Sequence, residues 1–219
     1  MTRMSNKTVS IDVQKDLFGA NKGAAISNAD EFKKHGIHAF DVMGSVGSGK
    51  TLFIEALCEK MSGRYKILMV AGDLATRIDA DRVASHGIDT VQINTGNACH
   101  LDARMVRFAL KDVDLSKYEL VFIENVGNLI CPAGYSLGVE KRIVLLGITE
   151  GPYMVRKHPL TIKRADIIVI NKIDLAEVLD FDVEALVSDV REVDSDLPVF
   201  LVSSKTGQGI DEVVHGLGL

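Results

Sequence analysis

The sequence predicts an α/β fold of three layers, with a mostly parallel central sheet flanked by helices. Seven short apolar runs are typical of buried strands, and segments with apolar residues at helical spacing lie between most of them. A glycine-rich segment at 44–51 separates the first strand from a helix. Strands that alternate with helices in this way indicate a parallel sheet covered on both faces.

The bounds of each element follow from these runs. Strands are expected at 37–43, 66–71, 89–93, 119–124, 142–148, 166–170 and 198–202. Helices are expected at 51–62, 75–86, 99–112, 158–164, 182–193 and 209–217. Residues 10–34 have the pattern of a further amphipathic helix, weakened in its middle by Gly19 and Gly23. We therefore predict an N-terminal helical extension at 1–35, which either covers the sheet or contacts a partner, and one domain at 36–219.

Composition excludes several classes of protein. The 219 residues are enough for one domain with a full core, 47% of them are apolar, and the net charge is −5. Charges of both signs are scattered along the chain, so no basic face indicates nucleic-acid binding. No apolar run has the length of a membrane span or a signal-peptide core, and three widely spaced cysteines do not form a disulfide framework. We expect a cytoplasmic protein without nucleic-acid or membrane partners.

Residues 44–51 read G-S-V-G-S-G-K-T and fit the phosphate-binding pattern G-x-x-x-x-G-K-[ST]. Glycines let the backbone surround a phosphate with N–H groups, and the following helix directs its positive end at the anion. Lys50 is expected to reach the β- and γ-phosphates, and the Thr51 hydroxyl is expected to bind Mg²⁺. The predicted nucleotide contacts are Gly44, Ser45, Gly47, Ser48, Gly49, Lys50, Thr51 and Leu52. This motif, placed between a strand and a helix, indicates the fold of P-loop nucleoside triphosphatases.

The segment Asn171-Lys172-Ile173-Asp174 follows a strand and matches the N-K-x-D motif by which GTPases recognise guanine. The Asp174 carboxylate is expected to accept hydrogen bonds from the ring N–H and the exocyclic amine of guanine, which adenine does not offer in that arrangement. Lys172 would lie along the base plane and Asn171 would hold the loop. Ser203-Ser204-Lys205, at the end of the last strand, resembles the loop behind the guanine in GTPases. We predict GTP rather than ATP.

Two carboxylates follow buried strands at the same predicted edge. Asp73 and Glu124 are expected to hold Mg²⁺ together with Thr51, unless they only cap loops. Glu124 begins Glu-Asn-Val-Gly, where most GTPases have D-x-x-G, and the Gly127 N–H is placed to bind the γ-phosphate. The residues after Gly127 are Asn-Leu, without the glutamine that orients water in Ras, so we expect slow unaided hydrolysis.

Two cysteines and a histidine lie near this segment. Cys99 and His100 are placed at the start of the predicted helix 99–112, and Cys131 follows Glu124 by seven residues. Thiolate and imidazole bind Ni²⁺ and Zn²⁺, and the ligands alone do not choose between the two metals. Three ligands are one short of a tetrahedral site, which a symmetric dimer would complete. The alternative is that these cysteines only pack, which is the role we assign to Cys58.

Together, these motifs resemble the hydrogenase nickel-incorporation GTPases of the HypB family, in order from about residue 30 to the C-terminus. The resemblance implies a metallochaperone that uses GTP to deliver nickel to [NiFe]-hydrogenase large-subunit precursors, with other nickel-delivery proteins as partners. It implies that Cys99, His100 and Cys131 bind the metal. It also implies a homodimer promoted by GTP or metal, of the signal-recognition-particle/MinD-like class, in which Lys157 reaches the phosphates of the other subunit.

The chain departs from the family pattern at two points, and three other functions are compatible with parts of the sequence. Some members carry an N-terminal cysteine-rich site or a histidine tract, whereas this chain has no cysteine before Cys58, and Val46 replaces a proline of some members. The first alternative is an accessory GTPase for urease or a cobalamin-dependent mutase. The second is a GTP-binding scaffold held together by zinc. The third is a P-loop kinase, which the N-K-x-D motif disfavours.

Overall fold

Residues 13–72, 88–96 and 98–219 are described by a computed structural model, with side chains from residue 19 onward. Seven strands are found among these residues: β1 (His38–Gly44), β2 (Ile67–Ala71), β3 (Asp89–Gln92), β4 (Leu120–Glu124), β5 (Lys141–Gly147), β6 (Ile167–Asn171) and β7 (Val199–Val202). They form one sheet in the order β3-β2-β4-β1-β5-β6-β7, and every neighbouring pair is parallel. The predicted three-layer α/β class is confirmed.

Seven α-helices are found in the same described ranges. They are α1 (Val13–His35), α2 (Lys50–Met61), α3 (Ala103–Ala109), α4 (Met154–Lys157), α5 (Pro159–Lys163), α6 (Val183–Val193) and α7 (Ile210–Leu217). Short 3₁₀ turns lie at Leu115–Lys117, Pro132–Gly134, Ile148–Glu150 and Ile173–Leu175.

Helices cover both faces of the sheet because alternate strand residues point to opposite sides. On one face, α2 and α7 pack on a cluster that includes Phe40 and Phe122, whose rings stack with centroids 5.5 Å apart. On the other face, α1 and α3 cover one half of the sheet, and α4, α5 and α6 cover the other half. Because all seven strands are parallel, their carboxyl ends lie at one edge of the sheet, which is where ligands bind in parallel α/β sheets.

The N-terminal helix α1 packs on α3 and on the segment that precedes β5. Asn28 Nδ2 donates to the carbonyls of Ala103 at 2.9 Å and Leu137 at 3.0 Å. Asn21 accepts from the Ala103 N–H at 2.8 Å and donates to the Ser136 carbonyl at 3.0 Å. The helix thus covers part of the fold, and the division of the chain at residue 35 stays a prediction.

One predicted helix differs from the structure, and one short helix was not predicted. The helix expected at 99–112 begins at Ala103, because the Asp102 carboxylate accepts from the Met105 N–H at 2.9 Å and caps the helix there. Cys99 and His100 therefore lie in the bend before α3 and do not open a helix. The helix expected at 158–164 is α5, whereas the short helix α4, which His158 separates from the proline that starts α5, was not predicted. The helix expected at 75–86 lies outside the described residues.

Candidate functional site

The glycine-rich loop lies between β1 and α2 at the carboxyl edge of the sheet. Gly47 and Gly49 have φ of 82° and 96°, which favour glycine. A Cβ on Gly49 would lie 2.6 Å from Asn171 Nδ2, which itself donates to the Ser48 carbonyl at 3.0 Å. Lys50 is 5% exposed, and its ammonium donates to the Ser45 carbonyl at 3.2 Å. The loop is thus held in a curved shape with a cation inside it.

A nucleoside phosphate fits this loop on two observations. The glycine positions leave the backbone without side chains where an anion would approach, and α2 begins at Lys50 directly behind the loop. Ser45 Oγ is buried and has no hydrogen-bond partner among the described residues. A buried hydroxyl without a partner is costly, and a phosphate oxygen would accept its hydrogen.

The predicted magnesium ligands occupy the ends of neighbouring elements. The Thr51 hydroxyl donates to Glu124 Oε1 at 2.8 Å, so the two side chains meet beside the loop. Gly72, at the end of β2, donates its N–H to the Glu124 carbonyl at 2.8 Å. A hydroxyl and a carboxylate are oxygen ligands that Mg²⁺ accepts. Asp73 lies outside the described residues, so its role stays a prediction.

The segment after Glu124 is fixed to the phosphate loop. Asn128 forms an antiparallel bridge with Gly44, and a Cβ on Gly127 would lie 2.5 Å from Val46 Cγ2. Asn128 Oδ1 accepts from the N–H groups of Ile130 at 2.8 Å and Cys131 at 3.3 Å. The phosphate loop is therefore in direct contact with the segment that carries Cys131.

The predicted guanine loops also contact each other. Asn171 Oδ1 accepts from the N–H of Ser204 at 3.1 Å and from its hydroxyl at 2.9 Å. The Ser203 hydroxyl donates to Asp174 Oδ1 at 2.6 Å, which orients the exposed carboxylate. Lys205 is exposed at the end of this loop. Of the positions predicted for the base site, Asn171 is therefore joined to Ser204, and Asp174 to Ser203.

Lys172 is held in a left-handed backbone conformation, with φ of 68°, which is uncommon for a residue other than glycine. Its ammonium donates to the Gly47 carbonyl at 2.6 Å and to Thr149 Oγ1 at 3.0 Å. Local strain of this kind collects at functional sites. The side chain thus joins the base-recognition loop to the phosphate loop.

The two cysteines near the switch segment are adjacent in space. The Cys131 thiol lies near enough to the Cys99 thiol to interact with it, and this interaction raises the pKa of Cys99. Cys99 Sγ lies 3.7 Å from His100 Nδ1, and the imidazole lies against Tyr135 with ring centroids 4.0 Å apart. Burial lowers the pKa of His100, so its neutral form, the one that binds metals, is favoured.

These three side chains do not form a complete metal centre within one chain. Across the described residues, no group of three His, Cys, Asp or Glu side chains has the arrangement needed to hold a metal ion. The structure brings the two thiols together, with the imidazole one contact away. Cys58 is fully buried in the core, where burial raises the pKa of its thiol to about 12, so its packing role is confirmed.

Lys157, predicted to act across a dimer, is the exposed last residue of α4. The adjoining helix α5 contacts the cysteine segment, because the buried Thr161 hydroxyl donates to the Leu129 carbonyl. Lys157 is thus near the segment that carries Cys131, and its reach toward a second subunit stays a prediction.

Four buried or half-buried polar residues were missed by sequence reasoning. They are Asp41 in β1, Asn125 after β4, Arg142 in β5 and Glu150 after β5. A signal existed for two of them, since Asp41 and Arg142 are charges of opposite sign within apolar strand runs. Burial there requires a partner.

The sheet, the phosphate loop and its partner loops define a P-loop nucleotide-binding protein. The profile of the family described as "CobW/HypB/UreG, nucleotide-binding domain" matches residues 38–201. A probable hydrogenase maturation factor HypB of Methanocaldococcus jannaschii is 48% identical over 205 residues, which cover 94% of this chain and 93% of that protein. The chain belongs to the HypB branch of this family.

Two solved structures share this architecture. The crystal structure of the hydrogenase maturation factor HypB from Archaeoglobus fulgidus has a TM-score of 0.86 and 40% identity, and the match covers 91% of this chain and 98% of that one. HypB from Helicobacter pylori in complex with nickel has a TM-score of 0.84 and 39% identity, with 90% and 93% covered. Within the described ranges, no helix has the length and apolar character to cross a membrane.

Proposed function

We propose that this protein is a GTP-hydrolysing nickel metallochaperone that delivers nickel to the large-subunit precursor of a [NiFe]-hydrogenase in the cytoplasm. The relatives named as hydrogenase maturation factors support the delivery role, and the relative solved with nickel supports the cargo. Nickel-delivery accessory proteins and a second copy of the chain are the partners. Zn²⁺ competes for the same ligands, since thiolate and imidazole accept both ions.

One observation carries this proposal. The Cys99 and Cys131 thiols lie near enough to interact, and Cys131 lies on the segment that begins at Glu124, whose carboxylate accepts a hydrogen bond from Thr51 of the nucleotide site. A metal held by these thiols is therefore joined to the magnesium end of the nucleotide by one short stretch of chain. His100, beside Cys99, supplies a third ligand, and a second subunit supplies the remainder.

Each side chain of the nucleotide site has an assigned part in the cycle. Lys50 neutralises the β- and γ-phosphates, and Asp174 reads the base while Asn171, Lys172, Ser203, Ser204 and Lys205 hold its loop. Thr51, Asp73 and Glu124 would hold Mg²⁺, which supplies positive charge to the phosphates when bound. The Gly127 N–H donates to the γ-phosphate, and loss of that phosphate on hydrolysis releases the segment 124–131.

Nickel binding in the two nucleotide states tests the proposal. Protein loaded with GDP, or with Mg²⁺ and a non-hydrolysable GTP analogue, is dialysed against Ni²⁺. Allosteric coupling of ordinary size gives a ratio of affinities of about 5- to 150-fold. In Cys131→Ala, nickel affinity should be the same in both nucleotide states, so that the ratio is close to one. Cys58→Ala, the matched control in the core, should preserve it.

The outcomes separate the candidate functions. Equal nickel affinity in both states, or a Cys131→Ala protein that keeps the ratio, would contradict the chaperone function and leave a GTPase with structural cysteines. Metal removal that dissociates the dimer whichever nucleotide is bound would indicate the zinc-held scaffold. Competition between GTP and ATP, which we expect GTP to win, tests the base assignment separately.

A further inference from the structure

A row of buried polar side chains crosses the sheet below the nucleotide site. Asp41 and Asn125 are fully buried, and Arg142 is 9% exposed. Asp41 Oδ1 accepts from Asn125 Nδ2 at 3.0 Å, and Asp41 Oδ2 accepts from Arg142 Nε at 3.2 Å. Because β1 lies between β4 and β5 in the sheet, the three side chains span three adjacent strands.

Each end of this row holds one of the segments that carry the metal-binding candidates. At one end, Asn125 Oδ1 accepts from the Leu101 N–H at 3.0 Å, one residue after His100. At the other end, the Arg142 guanidinium donates to the carbonyls of Ala133 at 3.4 Å and Tyr135 at 2.5 Å, just past Cys131. The Tyr135 ring also lies against the His100 ring, so the two segments contact each other directly as well.

The Asn125 end of the row is joined to the nucleotide site by the main chain. Asn125 directly follows Glu124, whose carboxylate accepts from the Thr51 hydroxyl. The Asn125 N–H donates to the Val42 carbonyl at 3.0 Å, beside Asp41. A change in the position of Glu124 therefore moves the amide that holds Leu101 and the acceptor that orients Arg142.

Stability alone is a weak reason for burying these residue types. A buried ion pair is often no more stabilising than apolar side chains of similar volume, so it is weak support for stability alone. The row instead links the two candidate ligand segments, because Asn125 bonds to the backbone after His100 and Arg142 bonds to the backbone after Cys131. Buried polar networks that are fully hydrogen-bonded hold the groups they join rigidly to one another, so a shift at one end moves the other.

We propose that Asn125, Asp41 and Arg142 form a positioning relay that sets the distance between the Cys99–His100 and Cys131 segments according to the bound nucleotide. This inference rests on the proposed function. The three residues touch neither metal nor nucleotide, and they act through the backbone at Leu101, Ala133 and Tyr135.

The adjacent residues Arg142 and Lys141 provide a matched pair of variants. The Lys141 ammonium also donates to two carbonyls, those of Gly216 at 2.9 Å and Leu217 at 3.2 Å, but these belong to the C-terminal helix. Arg142→Met severs the relay, whereas Lys141→Met removes comparable bonds elsewhere. Because Arg142→Met leaves a buried carboxylate unpaired, the double variant Asp41→Asn/Arg142→Met is made as well, with an amide oxygen still able to accept from Asn125.

The readout is the ratio of Ni²⁺ affinities with GDP and with a GTP analogue, measured by competition with a chromophoric chelator. The unfolding free energy and the nucleotide affinity are recorded for every variant. We expect the ratio to fall below about twofold in the double variant and to keep its wild-type value, about 5- to 150-fold, in Lys141→Met. Nucleotide affinity should change by less than about threefold, because the relay does not contact the nucleotide.

A wild-type ratio of one would overturn the proposed function and the relay with it. A wild-type ratio above fivefold that persists in the double variant would overturn the relay alone. Loss of the ratio in Lys141→Met to the same extent as in the double variant would also overturn it, because the effect would then follow stability. A ratio lost only when the relay is severed supports the inference.

Discussion

Asp174 is the residue on which the proposed choice of base depends. Its carboxylate is oriented by the Ser203 hydroxyl and exposed beside the phosphate loop. In Asp174→Asn, one acceptor becomes an NH₂ donor that faces the guanine donors. We expect GTP affinity to fall by about 3 kcal/mol, roughly a hundredfold, and xanthosine triphosphate affinity to rise, since xanthine presents an acceptor there.

Nucleotide titration by calorimetry would measure both affinities for this variant. Asp182→Asn is the matched control, because Asp182 only caps α6 through the Ala185 N–H and asparagine caps as well as aspartate. GTP binding that is unchanged in Asp174→Asn would remove the basis for assigning guanine to this loop.

The half-buried carboxyl of Glu150, after β5, is expected to make the free energy of unfolding depend on pH. Burial raises the pKa of its carboxyl above the ordinary 4.5, although the Gly147 N–H and the charges of Lys172 and Lys50 act in the opposite direction. Oε1 is buried without a hydrogen-bond partner among the described residues. A carboxyl with a raised pKa favours the folded state below its ordinary pKa, and this contribution is lost as the pH rises through the folded-state pKa.

Glu150→Gln keeps an acceptor for the Gly147 N–H and does not ionise. The variant should therefore gain unfolding free energy relative to the wild type as the pH rises from 4.5 toward 8. Chemical denaturation without nucleotide at several pH values would measure this difference. A difference that stays constant with pH would contradict the raised pKa.

At the scale of the elements, Gly138 decides how closely α1 approaches the core. It has φ of +81°, and a Cβ there would lie 2.0 Å from the Ala25 carbonyl oxygen of α1. Gly207 has the same φ of +81°, but no atom lies within 4 Å of its Cβ position. A substitution at Gly207 would therefore introduce backbone strain alone, whereas one at Gly138 would add a steric clash with α1.

Alanine substitutions at these two glycines test that separation. Gly207→Ala should lose about 1 kcal/mol of unfolding free energy from strain alone, whereas Gly138→Ala should lose about 3 kcal/mol, because α1 has to move. Urea denaturation measures both losses, and hydrogen exchange should show α1 opening only in Gly138→Ala. Equal losses would mean that α1 is not packed against the rest of the protein as the structure describes.

Sequence reasoning found the strands because each is an apolar run bounded by polar loops. All seven bounds agree with the structure to within one residue at each end. The start of α3 was wrong although its signal was available, since Asp102 is a good capping residue. The relay was not predictable, because Asp41 and Arg142 are 101 residues apart and meet only through the order of the strands. The spacing of Cys99 and Cys131 was only a weak signal that the two thiols lie near each other.

At the scale of the whole molecule, one edge of the sheet carries both the nucleotide loops and several exposed apolar side chains. Val46, Ile130, Tyr153 and Leu160 are 77%, 70%, 57% and 56% exposed. They lie on the phosphate loop, beside Cys131, and on either side of Lys157. Exposed apolar residues grouped around a functional site are typical of an interaction surface. This edge is where a second subunit would complete the metal ligands and bring Lys157 to the phosphates.

We therefore expect this edge to form a homodimer when Mg²⁺ and a GTP analogue are bound. Ile130→Asp places a charge in that contact and should weaken dimerisation at least tenfold, while nucleotide affinity of the monomer stays the same. Phe108→Asp is the matched control, because Phe108 is 81% exposed but lies on α3, away from the edge. Sedimentation velocity with the analogue and with GDP would measure the dimer. If Phe108→Asp rather than Ile130→Asp weakened it, the interface would lie along α3, and Lys157 could not act across it.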